Sequence, residues 1–378
     1  MSFTSLRLSS SLQKALADQN YTEAYPIQKE AIPAILNGKD ILGIAKTGSG
    51  KTASYVLPIL SKLQGGSISK NRHIKTLVLV PTRELAMQIA EVFQQFSSAL
   101  PVPIRCLAVH GGVSINPQMK AMNKVDVLIA TTGRLLELVD SNAVHLSDTE
   151  CLVLDEADKM LNMGFQDEMN RIFALLPKKR QNLLFSATLS KDIKDVKQVL
   201  LSDPLVIKIE AKENTLDLID QIAYSVAEEK KGPLLRNIIK RNKLEQVLVF
   251  VSSAHRADAV AYKLSKNGIQ ATSTHSKKSQ GARTENLRKF KTGKLRVLVA
   301  TDLLTRGIDI EFLPYVVNYD LPRSPKDYIH RIGRTGRAES PGEAISFVTE
   351  NDEHHFKVIQ KKAGTRLQLI DSEIALKK

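Results

Sequence analysis

Nine short apolar runs, continuous rather than alternating, constrain this chain more than any other feature in it. Five come early: DILGIAK (40–46), TLVLVP (76–81), VLIATT (127–132), CLVLDEA (151–157) and NLLFSAT (182–188). Four come late: QVLVFVS (246–252), RVLVAT (296–301), YVVNYD (315–320) and EAISFVT (343–349). A strand with one wet face alternates apolar and polar residues. A strand covered on both faces has no wet side, and it reads as an unbroken run. Between the runs lie amphipathic stretches such as ELAMQIAEVFQQF (84–96) and HRADAVAYKLSK (255–266). Strand, helix and strand in repetition specify an α/β fold on parallel sheets.

The runs also repeat at a fixed spacing. LVLVPT begins at Leu77 and VLIATT at Val127, 50 residues on; LVFVSS begins at Leu248 and VLVATD at Val297, 49 residues on. This spacing predicts a duplication, two α/β domains of one plan, which the 378 residues are long enough to build. The acidic stretch EAKENTLDLID (210–220) separates the two sets and lacks a core pattern. The expected division is therefore 1–207, a linker at 208–217, and 218–378. Chance likeness between two generic α/β domains is the alternative.

Charge narrows the class of partner. The net charge is +14, and it is uneven: residues 1–207 carry 23 Lys and Arg against 19 Asp and Glu, residues 208–378 carry 31 against 21. Residues 263–296 alone hold ten basic residues and one acid. A basic excess suggests a polyanion, most often nucleic acid; the alternative is a solvated, solubilising surface. With no Trp and 5% aromatic residues, extensive base stacking is not expected. No apolar run approaches a membrane span, and MSFTSLRLSS has no signal-peptide core, so no membrane partner and a cytoplasmic location are expected. Cys106 and Cys151 fit a reducing compartment, as two buried thiols rather than a disulfide or metal cluster.

Polar clusters lie just past the C-terminal ends of the expected strands, where open α/β sheets bind ligands. AKTGSGKT, Ala45 to Thr52, follows the first run. Gly48 and Gly50 let the backbone turn so that N–H groups point at phosphate oxygens. Lys51 adds charge for the outer phosphates, and the Thr52 hydroxyl is suited to ligate Mg²⁺. A helix starting at Lys51 adds its positive end. Ala45 stands where the pattern usually has Gly. The fourth run ends in three packed carboxylates, Asp155, Glu156 and Asp158. A triphosphate with Mg²⁺ needs a carboxylate near the metal, here Asp155. It also needs a group that positions or deprotonates water, here Glu156. The second half has no phosphate loop; at the corresponding place it has KKGPLLRNIIKRN (230–242). It does have YIHRIGRTGRAE (328–339), with Arg331, Arg334 and Arg337 at every third position. Guanidinium groups stabilise charge on a transferring phosphoryl group, so these arginines could complete a site that neither half owns. The alternatives are a phosphodiester-binding strip or ordinary surface ion pairs.

At this density of motifs the chain resembles the DEAD-box RNA helicases of helicase superfamily two, over nearly its whole length. NYTEAYPIQ (20–28) with upstream Phe3 is similar to the adenine-reading Q motif, and AKTGSGKT to motif I. PTRELA (81–86), Gly111–Gly112 and TTGR (131–134) resemble RNA-contacting motifs, DEAD (155–158) the name motif, and SAT (186–188) the coupling motif. VFVSS (249–253), HSKKSQGAR (275–283), ATDLLTRGID (300–309) and HRIGRTGR (330–337) complete the second domain.

The resemblance implies two tandem RecA-like domains and an RNA-dependent ATPase. It would separate short duplexes or remodel RNA–protein complexes, hydrolysing ATP between its domains. Gln28 would read adenine, with Phe3 and Tyr21 around it. Ala45, Lys46, Thr47, Gly48, Ser49, Gly50, Lys51 and Thr52 would hold phosphates, with Thr52 and Asp155 on Mg²⁺. Asp309 would meet the ribose, Glu156 would serve the water, and Arg334 and Arg337 would be arginine fingers. Asp158, Ser186, Thr188 and His330 would couple closure to hydrolysis. Pro81, Thr82, Arg83, Gly112, Thr131, Gly133, Arg134, Gln280, Arg283 and Thr301 would line the RNA backbone path. Backbone contacts of this kind carry no sequence readout. Protein cofactors or ribonucleoprotein complexes would be further partners, unidentifiable from sequence.

Several positions depart from the pattern: Asn20 for Gly, Tyr25 for Thr, Lys46 for Gln or Arg, Thr132 for Pro and Ser276 for Gly. None removes a group with a chemical role. The chain reaches IALKK soon after the last motif, so a two-domain core without an added recognition domain is expected. An ATP-gated RNA clamp and a DNA-directed motor are the alternative classes.

Overall fold

The computed structural model describes residues 2–19, 21–45, 48–65, 70–209, 219–302, 313–336 and 342–373. The chain divides into two compact units, Met1–Ala211 and Lys212–Lys378. Each is built on one seven-stranded sheet.

The first unit contains β1 (Ile41–Ile44), β2 (Thr76–Val80), β3 (Cys106–Val109), β4 (Val127–Thr131), β5 (Cys151–Leu154), β6 (Gln181–Ser186) and β7 (Leu205–Lys208). They lie in the order β3-β4-β2-β5-β6-β1-β7, and all pairings are parallel. The second unit contains β8 (Ile219–Ser225), β9 (Val247–Phe250), β10 (Ala271–Thr274), β11 (Val297–Ala300), β12 (Tyr315–Asn318), β13 (Gly342–Val348) and β14 (Leu369–Asp371). Their order is β10-β11-β9-β12-β13-β8-β14, again all parallel. Counted from its own first strand, each unit has the same order. The 49- and 50-residue repeat thus reflects one topology used twice.

The apolar runs are continuous because both faces are covered. In β2, Val78 and Val80 join one core with Val127, Ile129, Val153 and Phe185. Leu77 and Leu79 join the other with Leu128, Ala130, Leu152 and Leu154. All nine runs form strands, and they occupy the interior of the sheets. The strands without such a run are at or beside the rims. The outermost, β3, β7, β10 and β14, are only partly buried, and β8 has only three-residue β14 on its outer side. The two amphipathic stretches form helices Arg83–Ser97 and Ala254–Lys266. Each follows its unit's second strand and is capped alike: the Thr82 hydroxyl accepts from Leu85 N at 3.3 Å, and the Ser253 hydroxyl from Arg256 N at 3.2 Å.

Two expectations need adjustment. Lys208, placed in the linker, is the last residue of β7, and β8 already begins at Ile219, inside the stretch read as featureless; residues 210–217 of the linker lie outside the described residues. Cys151 is buried, but Cys106 on rim strand β3 is only partly so. Burial still pushes both thiols up to about 12, with nearby Asp126 adding to the effect at Cys106, so neither is a reactive thiolate.

Gly43, inside β1, marks a close approach. A Cβ there would lie 2.6 Å from a ring carbon of Phe185 on β6. That ring is fully buried and packed against Tyr55 at 5.3 Å between centroids, so it has no room to yield. Gly43→Ala is expected to lower the unfolding free energy by about 1–3 kcal/mol, the usual range for overpacking, as measured by urea titration followed by circular dichroism.

Candidate functional site

The predicted site residues gather at the C-terminal edges of the two sheets. Strand order sorts them. In the first unit the RNA-contacting positions follow β3, β4 and β2, three neighbours on one side of the sheet. The nucleotide and coupling positions of this unit lie at the ends of β5, β6 and β1, the next three, except Phe3, Tyr21 and Gln28, which precede β1. The second unit sorts alike: His275 follows β10 and Thr301 follows β11, again neighbours.

After β1 the backbone turns through Gly48 (φ 78°) and Gly50 (φ 85°) into the helix Lys51–Leu63. Gly50 is needed for a second reason: a Cβ there would sit 2.5 Å from Nε2 of Gln28. Gln28 is 1% exposed. Its Nε2 donates to the Gly50 carbonyl at 3.1 Å, and its Oε1 accepts from Tyr25 N at 2.9 Å. The residue predicted to read adenine therefore also pins the phosphate loop. Phe3 and Tyr21 meet edge to face at 6.3 Å, and Tyr21 meets Phe96 at 5.7 Å. Phe3 is buried, whereas Tyr21 keeps exposed surface. Lys46, Thr47, Asp309 and Arg337 lie outside the described residues.

The acidic turn after β5 is dense with buried charge. Lys51 Nζ donates to the Ala45 carbonyl at 2.6 Å. Burial pushes its ammonium below the ordinary value, while Asp155 and Glu156 partly restore it. Burial likewise raises Asp155, against the pull of Lys51. Asp155 Oδ2 accepts from the Tyr55 hydroxyl at 2.9 Å, and Oδ1 from Glu156 N at 2.9 Å. Burial and the adjacent carboxylate hold the Tyr55 phenol well above its ordinary value, which fixes it as a donor. Tyr55 was not legible as a site residue; it follows Lys51 by four residues, one helical turn on.

Glu156 has φ 54°, a left-handed backbone that costs a non-glycine residue on the order of 1 kcal/mol. It begins the helix Ala157–Asn162. Its Oε1 pairs with Lys159 Nζ at 2.6 Å, while Oε2 is buried without a partner among the described residues. A buried carboxylate oxygen with no donor is an acceptor held in reserve. Asp158 Oδ2 accepts from Thr188 Oγ1 at 2.9 Å, and Ser186 Oγ donates to the Thr188 carbonyl at 2.8 Å. Three of the four coupling residues thus form one chain of hydrogen bonds. The fourth, His330, is exposed on the helix Pro325–Ile332 of the second unit.

Among the positions assigned to RNA, Arg83 and Gly112 come together. A Cβ on Gly112 would lie 1.8 Å from a guanidinium nitrogen of Arg83, and Gly112 has φ 76°. Arg134 is held within its own unit, with Nη1 buried and unpartnered among the described residues. It is 6% exposed, and its guanidinium donates to the Val113 carbonyl and to Glu137, each at 2.8 Å. It holds the loop after Gly112 in place. Pro81 and Thr82 lie between β2 and its helix, Thr131 ends β4, and Gly133 is the second residue of the helix Thr132–Asp140, where a Cβ would meet open space. Gln280 and Arg283 occupy the first turn of the helix Gln280–Lys291.

The second unit has a closed counterpart of the nucleotide site. Lys231 opens the helix after β8 as Lys51 opens the helix after β1, and Asp320 follows β12 as Asp155 follows β5. Lys231 Nζ lies 3.2 Å from Asp320 and 2.9 Å from Glu228; Arg256 Nε lies 2.9 Å from Asp320. Both cations sit over the Tyr319 ring. Protein charges satisfy one another where the first unit leaves an acceptor open. The arginine stripe also divides. Arg331 is buried, forks onto Asp302 at 2.5 and 2.7 Å, and stacks on Phe250 at 4.8 Å. It anchors the fold; Arg334 is also largely buried.

Residues 25–196 match the DEAD/DEAH box helicase family, and residues 230–339 match the helicase conserved C-terminal domain. The chain is 38% identical over 367 residues to the ATP-dependent RNA helicase CshA of Listeria monocytogenes, covering 97% of this chain and 69% of that protein. It is 40% identical over 369 residues to the DEAD-box ATP-dependent RNA helicase CshA of Streptococcus pneumoniae, covering 97% and 69%. Among solved structures it is similar to S. cerevisiae Dbp5 bound to RNA and ADP BeF3, with TM-score 0.85 and 29% identity, covering 99% and 97% of the two chains. No helix among the described residues is long and apolar enough to cross a membrane.

Tyr55→Phe removes the donor to Asp155 Oδ2 and leaves a buried acceptor unsatisfied. It is expected to lower stability by about 1–3 kcal/mol, as read from the urea midpoint at unchanged slope.

Proposed function

We infer the function from one premise: the chain belongs to the DEAD/DEAH box helicase family, the ATP-dependent RNA helicases. It is an RNA-dependent ATPase that unwinds RNA. The observation that carries the assignment of roles is the buried turn after β5. There a lysine and two carboxylates face one another, and one carboxylate oxygen is still unpartnered.

In the proposed mechanism, N–H groups of the Gly48–Gly50 turn and Lys51 hold the outer phosphates of ATP. The residues present fit Mg²⁺: Asp155 is a buried carboxylate oriented by Tyr55, and the Thr52 hydroxyl stands one residue past the phosphate-binding lysine. When bound, the ion would neutralise phosphate charge. Glu156 Oε2 accepts a hydrogen bond, and then a proton, from the attacking water. Gln28 positions adenine while holding Gly50, so base recognition and loop geometry are linked through one amide. Arg334, carried by the second unit, stabilises the developing phosphoryl charge. Arg337 and Asp309 are proposed for the second finger and the ribose contact. Asp158, Ser186, Thr188 and His330 transmit closure. The RNA is held by phosphate and sugar contacts from both units, with Arg134 as a positioning residue behind Arg83 and Gly112. A cytoplasmic location and short duplexes or ribonucleoprotein complexes as targets complete the proposal.

Two substitutions test it. Glu156→Gln keeps size and hydrogen bonding but cannot take a proton. It is expected to abolish turnover, retain ATP and RNA, and form a long-lived complex of both. Arg334→Ala is expected to slow turnover by about 10³–10⁵-fold, as for arginine fingers elsewhere, without trapping RNA. The measurement is RNA dissociation in the presence of ATP. Wild-type release rates from Glu156→Gln would refute the assigned base.

A further inference from the structure

The N-terminal edge of the second sheet, opposite its site edge, has no role in the mechanism above. On the side of rim strand β10 it is made of the three turns that lead into β9, β10 and β11. These turns are bound together. Val247 N donates to Arg296 O and Val297 N to Gln270 O, each at 2.9 Å. Gln246 Nε2 donates to Phe290 O at 3.2 Å, and Arg296 donates to the carbonyls of Leu244 at 2.6 Å and Ile239 at 3.1 Å. The rim is therefore a fixed surface, with neighbouring turns spaced by about the 4.8 Å between strands.

Along these three turns the exposed charge is nearly all of one sign, while farther along the edge Asp220 on β8 is an exposed acid. Lys240 stands in the last turn of the helix before β9 and Lys243 on the turn that follows it; Lys263 and Lys266 stand on the helix before β10, and Lys294 on the turn before β11. All five are exposed and form no ion pair among the described residues. The exposed acid on these turns is Glu245. Cations at helix C-termini are expected to offset the helix dipole, and that effect fades beyond the last turn. Lys243 and Lys294 lie past the ends of helices Lys231–Arg241 and Gln280–Lys291, so the dipole does not account for them. The first unit is an internal control of the same topology. At its corresponding edge Lys75 is paired with Glu150 at 2.7 Å and Lys70 with Asp148 at 3.5 Å, while Lys124 on the turn before β4 is exposed and forms no ion pair among the described residues. The second unit differs in gathering five such lysines on three neighbouring turns and the helix ends beside them.

We propose that this lysine rim is a second RNA-binding surface, which holds phosphates of a strand extending beyond the ATP-coupled site. Lysines are compact point charges without the planar fork of arginine, so the rim grips phosphodiesters without reading bases. It acts through counterion release, so its contribution is largest at low salt. The proposal rests on the RNA-dependent reading above, and its test separates the two.

The test uses the full chain with Lys243, Lys263, Lys266 and Lys294 all changed to Gln, and a second variant with the same four changed to Arg. Two uridine strands serve as probes: a short one that fills the core site alone and one several times longer, titrated at one protein per strand. The Gln variant is expected to bind the long strand at least tenfold more weakly at low salt. Its plot of log affinity against log salt should be shallower by about 0.7 for each phosphate no longer neutralised, about 2–3 in all. Short-strand affinity and RNA-stimulated ATPase should stay at wild-type values, and the Arg variant should bind the long strand as wild type does. Unchanged long-strand affinity and slope would overturn the proposal, and so would an equal weakening with both strands. If wild type bound neither strand, the core reading itself would fail.

Discussion

A parallel sheet covered on both faces leaves only its two edges for chemistry, and the rest of this protein follows from that constraint. The covering requires unbroken apolar runs, which exclude functional side chains from the strand interiors. The polar residues within the interior strands, such as Gln181, Asn182 and Asn318, are buried and tied by hydrogen bonds, and most of the reactive groups collect in the turns. Because the strands are parallel, all turns at one edge follow strand ends and all turns at the other precede strand starts. Strand order then decides which motifs become neighbours. PTRELA, Gly111–Gly112 and TTGR are far apart in sequence, yet they follow β2, β3 and β4, which are adjacent. The phosphate loop, the DEAD turn and SAT follow β1, β5 and β6, also adjacent.

The site edge stores unfavourable terms that the packed sheet sustains. Lys51 and Asp155 are buried with their charged forms disfavoured, Glu156 is held at a positive φ, and its Oε2 lacks a donor among the described residues. In the duplicated second unit the equivalent lysine and aspartate neutralise each other with help from Arg256 and Glu228. The two halves thus show the same edge in an open and a closed form. Only the open form has an acceptor left for a ligand.

The interior of both sheets was legible because double burial writes itself as contiguous Val, Ile and Leu. The rims were not. β3, β7, β10 and β14 are half wet, so they lack the unbroken apolar run that a doubly covered strand needs. The phosphate loop and acidic turn were legible because their chemistry needs fixed residue types at fixed spacing. What escaped depends on contacts between distant residues. Tyr55 meets Asp155 across 100 positions. Arg331 belongs to the arginine stripe in sequence, and its hold on Asp302 and Phe250 shows only in the fold. Arg134 reads as an RNA-backbone contact in sequence, and its hold on Val113 and Glu137 shows only in the fold. Gln28 was read for adenine, and its hold on the Gly50 carbonyl was not legible.

The central claim is that ATP and RNA act on one protein through a shared state, the phosphate loop lying in one unit and Arg334 in the other. Such a state obliges each ligand to strengthen the other's binding by the same factor. The most direct measurement is the affinity for a short single-stranded RNA, at fixed salt, with and without a saturating non-hydrolysable ATP analogue. The account predicts tighter RNA binding in the presence of the analogue, and a matching gain in analogue affinity when RNA is saturating. Equal RNA affinity in both conditions would contradict it.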